Sequence, residues 1–368
     1  MPAARYALSM AASGLRAFLN LEAGVVRDCV AHQPSDRWGE PQKHRVDGRN
    51  GEVERLLKLL DERDRQILTL RAERDGAGGV RPENLIWIFG TGRSGNTWLS
   101  SMMGEIKGHA VWGEPRVGML FGEFYFFNSF EGQRKSKNFI LGDKQKATWL
   151  KSIRAFVLDG AGGRFPQLGD GYLVVKEQVG SVGAPLLMEA LPESRMILLV
   201  RDPRDVVASV LDASRKGGWH YERRKDDPGW SSKADEDPSF LVEERATRYL
   251  KQVGGAKKAY DAHDGPKVLV KYEDLRADAT SVMRHLYSTL GVPVVEGELA
   301  RVVEKHSWEN IPEEKRGEGK FYRKATPGGW EQDLTPEQVS IVERITAPLL
   351  EDFYADRGVG LEPRPSEL

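Results

Sequence analysis

Residues 85–98 read Leu-Ile-Trp-Ile-Phe-Gly-Thr-Gly-Arg-Ser-Gly-Asn-Thr-Trp. Leu85 to Phe89 is an unbroken apolar run of strand length, the pattern of a strand buried on both faces. It breaks at Gly90, turns through Gly92 and Gly95, and enters a helical stretch over residues 98–106. Strand, glycine loop and helix together make a phosphate cradle. Glycines let successive backbone N–H groups converge on one anion, and the helix N-terminus adds its partial positive charge. The loop departs from the form GxxxxGK followed by Ser or Thr, in which a lysine reaches the β- and γ-phosphates of a nucleoside triphosphate. Asn96 holds the lysine position, and the cation stands three residues earlier at Arg93. The loop suits a 5′-terminal group other than a triphosphate.

Outward from this loop, apolar runs near 85–89, 110–112, 172–176, 195–200 and 267–271 alternate with helical patterns. The helical patterns lie near 98–106, 144–159, 183–191, 203–214, 240–262, 279–290 and 336–352. Such alternation predicts an α/β fold: three layers, α/β/α, around a central parallel sheet that carries the P-loop-like turn. Ligands of such sheets sit at the carboxyl ends of the strands. Arg93, Arg201, Tyr272 and Glu273 fall there. Residues 214–239 show no helix or strand period and read as a lid or a disordered stretch, with Trp219, Tyr221 and Trp230 favouring a lid. Residues 116–140 carry Phe121, Phe124, Tyr125, Phe126 and Phe127, which form either an acceptor wall or core.

The loop resembles the 5′-phosphosulfate loop of the sulfotransferases that use 3′-phosphoadenosine-5′-phosphosulfate (PAPS). Three further segments match in family order. Residues 195–209, Arg-Met-Ile-Leu-Leu-Val-Arg-Asp-Pro-Arg-Asp-Val-Val-Ala-Ser, resemble the 3′-phosphate segment. Residues 268–275, Val-Leu-Val-Lys-Tyr-Glu-Asp-Leu, resemble the next strand and its turn. Residues 322–330, Tyr-Arg-Lys-Ala-Thr-Pro-Gly-Gly-Trp, resemble a late Arg-Lys-Gly segment, with Ala325 where the family has glycine. The resemblance spans about residues 85–350.

The resemblance implies roles residue by residue. Arg93 would bind the bridging oxygen and support the departing phosphate. Arginine stays charged, so it acts electrostatically and not as a general acid. Gly92, Ser94, Gly95, Asn96 and Thr97 would hold the 5′ end, and Trp98 and Tyr272 the adenine. Arg201 and Ser209 would bind the 3′-phosphate, joined by Arg323 and Lys324. PAPS would be the co-substrate and 3′,5′-diphosphoadenosine (PAP) the product, with no metal required. The acceptor base is open. Where cytosolic members carry a Lys-x-His segment, residues 176–178 read Lys-Glu-Gln, without the histidine. Glu114, in Trp-Gly-Glu-Pro-Arg, matches the carboxylate of other branches and ranks first. Glu177 ranks second, His109 and His220 after it, and Lys176 would support the sulfuryl oxygens. The acceptor would be a hydroxyl, less readily an amine, on a carbohydrate, glycolipid or other amphipathic molecule. Two rival readings stand beside this one. A P-loop kinase or nucleoside triphosphatase needs the lysine that Asn96 replaces. A non-catalytic PAPS-binding scaffold would have no need of Arg93.

Composition narrows the partners. Formal net charge is −1 over 368 residues, so no global field favours nucleic acid or an anionic membrane. A single cysteine, Cys29, excludes an intramolecular disulfide, and no apolar run reaches transmembrane length. These features lead to the expectation of a cytoplasmic protein. Residues 1–80 read as a helical extension ahead of a sulfotransferase-like domain over 81–360. Within the extension, residues 3–31 have roughly helical apolar spacing. Residues 52–75 place Val53, Leu56, Leu60, Ile67 and Leu70 at heptad positions, interrupted by Arg63. That segment suits either a short dimerising coil or a helical hairpin.

Overall fold

The computed structural model describes residues 79–127, 129–226 and 238–355, together with residues 55, 56, 58, 59, 62 and 63. The chain divides into two compact units, Met1–Ala77 and Gly78–Leu368. In the first unit the six described positions are helical and exposed, Leu56 among them. The rest of the heptad segment, residues 3–31 and Cys29 lie outside the described residues.

The second unit is built on five parallel strands: β1 (Leu85–Phe89), β2 (His109–Gly113), β3 (Tyr172–Lys176), β4 (Arg195–Val200) and β5 (Lys267–Lys271). Their order across the sheet is β2-β3-β1-β4-β5. All five side chains of β1 are buried because helices cover both faces. Leu85, Trp87 and Phe89 enter one apolar cluster, and Ile86 and Ile88 enter the other. The strand period of two thus feeds both cores from one apolar run.

On the Trp87 face lie α2 (Lys146–Arg164), α3 (Ala184–Ala190), α6 (Pro238–Ala262) and α10 (Pro336–Tyr354). On the Ile86 face lie α1 (Asn96–Gly104), α8 (Ala279–Thr289) and α9 (Glu296–Lys305). The fold is therefore the three-layer α/β/α sandwich that the strand–helix alternation predicts. Two more helices begin just after strand ends. α4 (Pro203–Ser214) starts at Asp202, whose side chain accepts from the Arg204 N–H, with Pro203 in the first turn. α7 (Tyr272–Ala277) follows β5 directly. α10 opens on a reciprocal capping box between Thr335 and Gln338.

Register fixes the working edge. Ile88 lies opposite Lys176, Gly113 opposite Lys176, and Val200 opposite Lys271. The chain past each strand therefore emerges on one edge, bringing the loop at 90–95, Glu114, Glu177, Arg201 and Tyr272 to the same side of the sheet.

Two stretches differ from their sequence reading. Residues within the supposedly aperiodic 214–239 form α5 (Trp219–Arg224). Tertiary contacts fix it: the Trp219 N–H donates to Gly319 O at 2.9 Å, and its ring packs edge-on to Phe321 at 5.3 Å. α9 was not expected at all. Its apolar contribution is confined to Leu299, Val302 and Val303 among charged neighbours. No helix among the described residues is long and apolar enough to cross a membrane.

Candidate functional site

The glycine loop is held by long-range bonds. A Cβ on Gly90 would run into the Leu199 carbonyl, so β1 and β4 approach there only because the residue is glycine. The Gly90 N–H donates to Ser181 Oγ at 2.9 Å, and Thr91 Oγ1 donates to Gln252 Oε1 at 2.6 Å. Gly95 has φ 89°, and a Cβ on it would lie 2.7 Å from the Tyr272 ring. Asn96 turns inward, its Nδ2 donating to Thr91 O at 2.6 Å. The first turn of α1 is thereby aimed at the loop, with backbone N–H groups facing the space that an anion would fill.

Arg93 also has positive φ, 70°. For a non-glycine residue this costs on the order of 1 kcal/mol, and the surroundings must hold it there. Arg201 Nη1 donates to the Arg93 carbonyl at 3.0 Å, and the Arg93 guanidinium donates to Ser209 Oγ at 2.9 Å and to Phe321 O at 2.8 Å. It lies 5.1 Å from the Phe321 ring centroid and 5.6 Å from that of Trp219. Burial, followed by the nearby Arg201 cation, lowers its pKa to about 10, so it remains charged at neutral pH.

Arg201 leaves β4 and stacks 4.3 Å over the Tyr272 ring. Trp98 meets the same ring edge-on at 6.4 Å, and its indole N–H donates to His306 O at 2.8 Å. The late segment is tied to α4 by two carboxylates. Asp205 accepts from the N–H groups of Gly328 (2.9 Å) and Trp330 (3.1 Å), and Asp212 accepts from the Gly319 N–H at 3.0 Å. This brings Arg323 to 3.4 Å from Asp212 and Lys324 to 2.9 Å from Asp333. Ala325, at the family's glycine position, adopts φ 52° and so keeps a left-handed backbone.

These segments enclose a cavity of about 370 Å³. It is large enough for a small-molecule ligand. Gly92, Arg93, Gly95, Asn96, Thr97, Trp98, Arg201, Ser209, Tyr272, Arg323 and Lys324 all line it. Ser94 does not line it and is fully buried. Ser94 Oγ and Arg201 Nε are buried without a hydrogen-bond partner. With four cations, a glycine cradle and the buried Arg201 Nε still without an acceptor, the donor set fits a nucleotide carrying separate anionic groups.

The acceptor-base candidates are separated by their surroundings. Glu114 directly follows β2 with φ 53°. Its Oε2 accepts from the Val179 N–H at 3.2 Å, and its Oε1 lies 3.6 Å from Lys176 Nζ. Lys176 Nζ in turn donates to Thr97 Oγ1 at 3.4 Å, which links Glu114 to the glycine loop, although neither Glu114 nor Lys176 itself lines the cavity. Burial raises the Glu114 pKa against the opposing pull of the Val179 N–H and Lys176. Glu177 is fully buried. It accepts from the backbone N–H groups of Arg116 (2.9 Å) and Gly118 (3.1 Å) and does not line the cavity. Burial raises its pKa to about 7. His109 packs against Tyr172 and Tyr287 away from the cavity. His220 lines it, with a pKa lowered to about 4 by burial and then by Arg245 and other arginines.

Sequence reasoning missed part of the lining: Gln252, Arg245 and Arg248 from α6, Arg223 from α5, and Trp308 and Phe321. The i, i+3, i+7 spacing of 245, 248 and 252 marks one helix face, but nothing in the spacing says what that face meets. Phe121, Phe124, Tyr125, Phe126 and Phe127 do not line the cavity; Tyr125 is buried and the phenylalanines at 124, 126 and 127 are exposed.

The sulfotransferase domain model matches residues 83–354, and the chain belongs to that family. Cytosolic sulfotransferase 17 of Arabidopsis thaliana is 26% identical over 182 residues, 43% of this chain and 51% of that protein. The match thus spans about half the length of this curated relative. Among solved structures, a mouse sulfotransferase complexed with PAP is 16% identical with a TM-score of 0.48, over 77% of this chain and 90% of that one. A sulfotransferase of Mycobacterium avium is 15% identical with a TM-score of 0.46, over 77% and 79%.

Proposed function

We propose that the protein transfers a sulfuryl group from PAPS to a hydroxyl of a small-molecule or glycan acceptor. One observation carries the reading: the glycine loop, Arg93, Arg201, Ser209, Arg323 and Lys324 converge on a single cavity. Bound PAPS would supply the activated sulfuryl group and its phosphate leaving group. The loop N–H groups and Thr97 would hold the 5′ end, and Arg201, Ser209, Arg323 and Lys324 the 3′-phosphate. Tyr272 and Trp98 offer ring surface to the adenine. Arg93 would stabilise charge on the leaving oxygen, an electrostatic role that suits its permanent charge.

Glu114 would take the acceptor proton. A carboxylate with a raised pKa is a better base at neutral pH than a free one. Lys176, between Glu114 and Thr97, would orient the sulfuryl oxygens. Glu177 supports the turn that carries Glu114 and Arg116, and in this reading it is a positioning residue. We place the enzyme in the cytoplasm, a reading supported by its single cysteine. The segment 52–75 would pair two copies. Light scattering on full-length Leu56→Glu/Leu60→Glu should give half the wild-type mass, and an unchanged mass would reject the pairing.

The test is a thermal melt of the full chain with PAP, set against ATP with Mg²⁺. A ligand at about 100 times its Kd adds roughly 2.7 kcal/mol. For a domain of this size that is a shift of a few degrees. A shift with PAP that is lost in Arg201→Ala is expected. A shift with ATP–Mg²⁺ and none with PAP would overturn the reading in favour of a kinase or triphosphatase.

A further inference from the structure

Among the described cavity-lining residues, eight are Arg or Lys and two, Asp205 and Asp333, are acidic. The nucleotide reading uses Arg93, Arg201, Arg323 and Lys324. Arg276 is occupied at the same end, donating to Ala325 O at 3.2 Å and lying 3.6 Å from Glu309. Three arginines remain: Arg223, Arg245 and Arg248.

Two of them share one helix face with Gln252, and that residue locates the face. Gln252 accepts from Thr91 beside the glycine loop, and its Nε2 donates to Val179 O at 3.4 Å. Val179 is also the residue whose N–H donates to Glu114. Val179, Gln252, Arg248 and Arg245 line the cavity, and Glu114 sits behind Val179, held by its N–H without itself lining the cavity. At 1.5 Å rise per residue, those arginines stand about 6 and 10 Å along α6 from Gln252.

One carboxylate serves both. Glu244 lies 2.9 Å from Arg245 Nε and 2.6 Å from Arg248 Nη2. Two guanidiniums share one carboxylate, and Arg223 lines the same cavity, so the described residues of this wall carry a positive excess. The Arg245 side chain is only 13% exposed, and its Nε has no hydrogen bond of good geometry. Among the described residues Glu244 is the carboxylate paired with Arg245 and it is shared with Arg248, so a further anion would complete the two cations. Arginine is also the side chain best suited to carboxylate, phosphate or sulfate oxygens.

We propose that the acceptor itself is anionic. Its hydroxyl would lie at Glu114, and a carboxylate, phosphate or sulfate group would lie against Arg245, Arg248 and Arg223. The proposal rests on the sulfuryl-acceptor reading and narrows its substrate class.

The experiment uses the full-length protein saturated with PAP, followed by thermal melts. Inorganic phosphate is compared with chloride at equal ionic strength, in wild type and in Arg245→Gln/Arg248→Gln. The expected result is a phosphate-specific rise in wild type that the double variant loses while it keeps its PAP shift. A second arm compares 4-nitrophenyl β-D-glucuronide with the matching glucoside, which differ at the carboxylate. The glucuronide should bind at least tenfold more tightly, and the variant should erase that difference. No phosphate-specific rise, a rise that the double variant retains, or equal responses to the two glycosides, zero included, overturns the proposal. Should the double variant not fold, Arg223→Gln is read for the same losses. A missing PAP shift would instead sink the nucleotide reading, and the phosphate comparison on the PAP-free protein would still judge the arginine wall.

Discussion

The Arg93 Nε donates to Ser209 Oγ at 2.9 Å, joining the glycine loop after β1 to the helix after β4. The proposed roles place Arg93 at the 5′ group and Ser209 at the 3′-phosphate, so substitutions at the two should act on different quantities. Arg93→Ala should retain PAP binding to within about tenfold and lower kcat by on the order of 10²–10³, the usual loss of one transition-state donor. Ser209→Ala should weaken PAP by roughly tenfold or more, as expected for a lost hydrogen bond to a charged group. Calorimetric titration with PAP, alongside single-turnover rates, separates the two. Equal effects of both substitutions on PAP affinity would contradict the separate roles.

Glu114→Gln should keep the PAP thermal shift and lose about 10²–10⁴ in turnover, the range for a general base. Burial raises the Glu114 pKa, so the free carboxylate forms at higher pH than for an ordinary glutamate. Activity should therefore climb with pH through a value above that of an ordinary glutamate, and the climb should vanish in the variant. A pH–rate profile with the same acid limb in both proteins would remove Glu114 from the base role.

Glu177 keeps its proton up to about pH 7 in the fold, whereas an unfolded glutamate releases it near 4.5. Between those values the folded chain binds more protons than the unfolded one, so stability falls as pH rises. The stabilising contribution is complete below 4.5 and lost on passing 7. Urea midpoints at pH 5 and pH 8 should drop more in wild type than in Glu177→Gln. A parallel drop in both would show that the buried carboxyl is not the titrating group.

Gly95→Ala places a Cβ against the Tyr272 ring at a φ of 89°. Both effects act on the nucleotide site. The substitution should cost on the order of 1–3 kcal/mol of stability and abolish the PAP shift. Tyr272→Ala in the same background removes the clash and leaves the backbone strain. Partial recovery of stability, read from urea midpoints, would measure the steric share.

Much of the fold is legible in the residues from 85 to 98. An apolar run that buries both faces of β1, a glycine turn and the start of α1 predict a parallel sheet with an anion site at its carboxyl edge. β3 and β4 announce themselves in the same way, because a buried parallel strand has no polar face to obscure it, and the edge strands β2 and β5 show as shorter apolar runs. Three cavity-lining residues are also legible in sequence, since Arg93, Arg201 and Tyr272 lie just beyond the ends of β1, β4 and β5. α5 and α9 were harder to see. Trp219 is held by Gly319 and Phe321, about a hundred residues away, and α9 buries only three apolar side chains.

The sequence by itself determined the layers and the glycine cradle, because periodicity records which sides of each element avoid water, and the family resemblance picked out four of the cavity's cations, Arg93, Arg201, Arg323 and Lys324. Only the tertiary structure decided what those sides meet. Glu114 and Glu177 are alike in sequence, each a glutamate at a strand end. Packing turns Glu177 onto two backbone amides and sets Glu114 beside Lys176. Arg245 and Arg248 read as ordinary charges on a long helix until α6 crosses the sheet edge at Gln252. Such assignments depend on side-chain directions and on contacts between residues far apart in the chain, and a hydrophobic pattern carries neither.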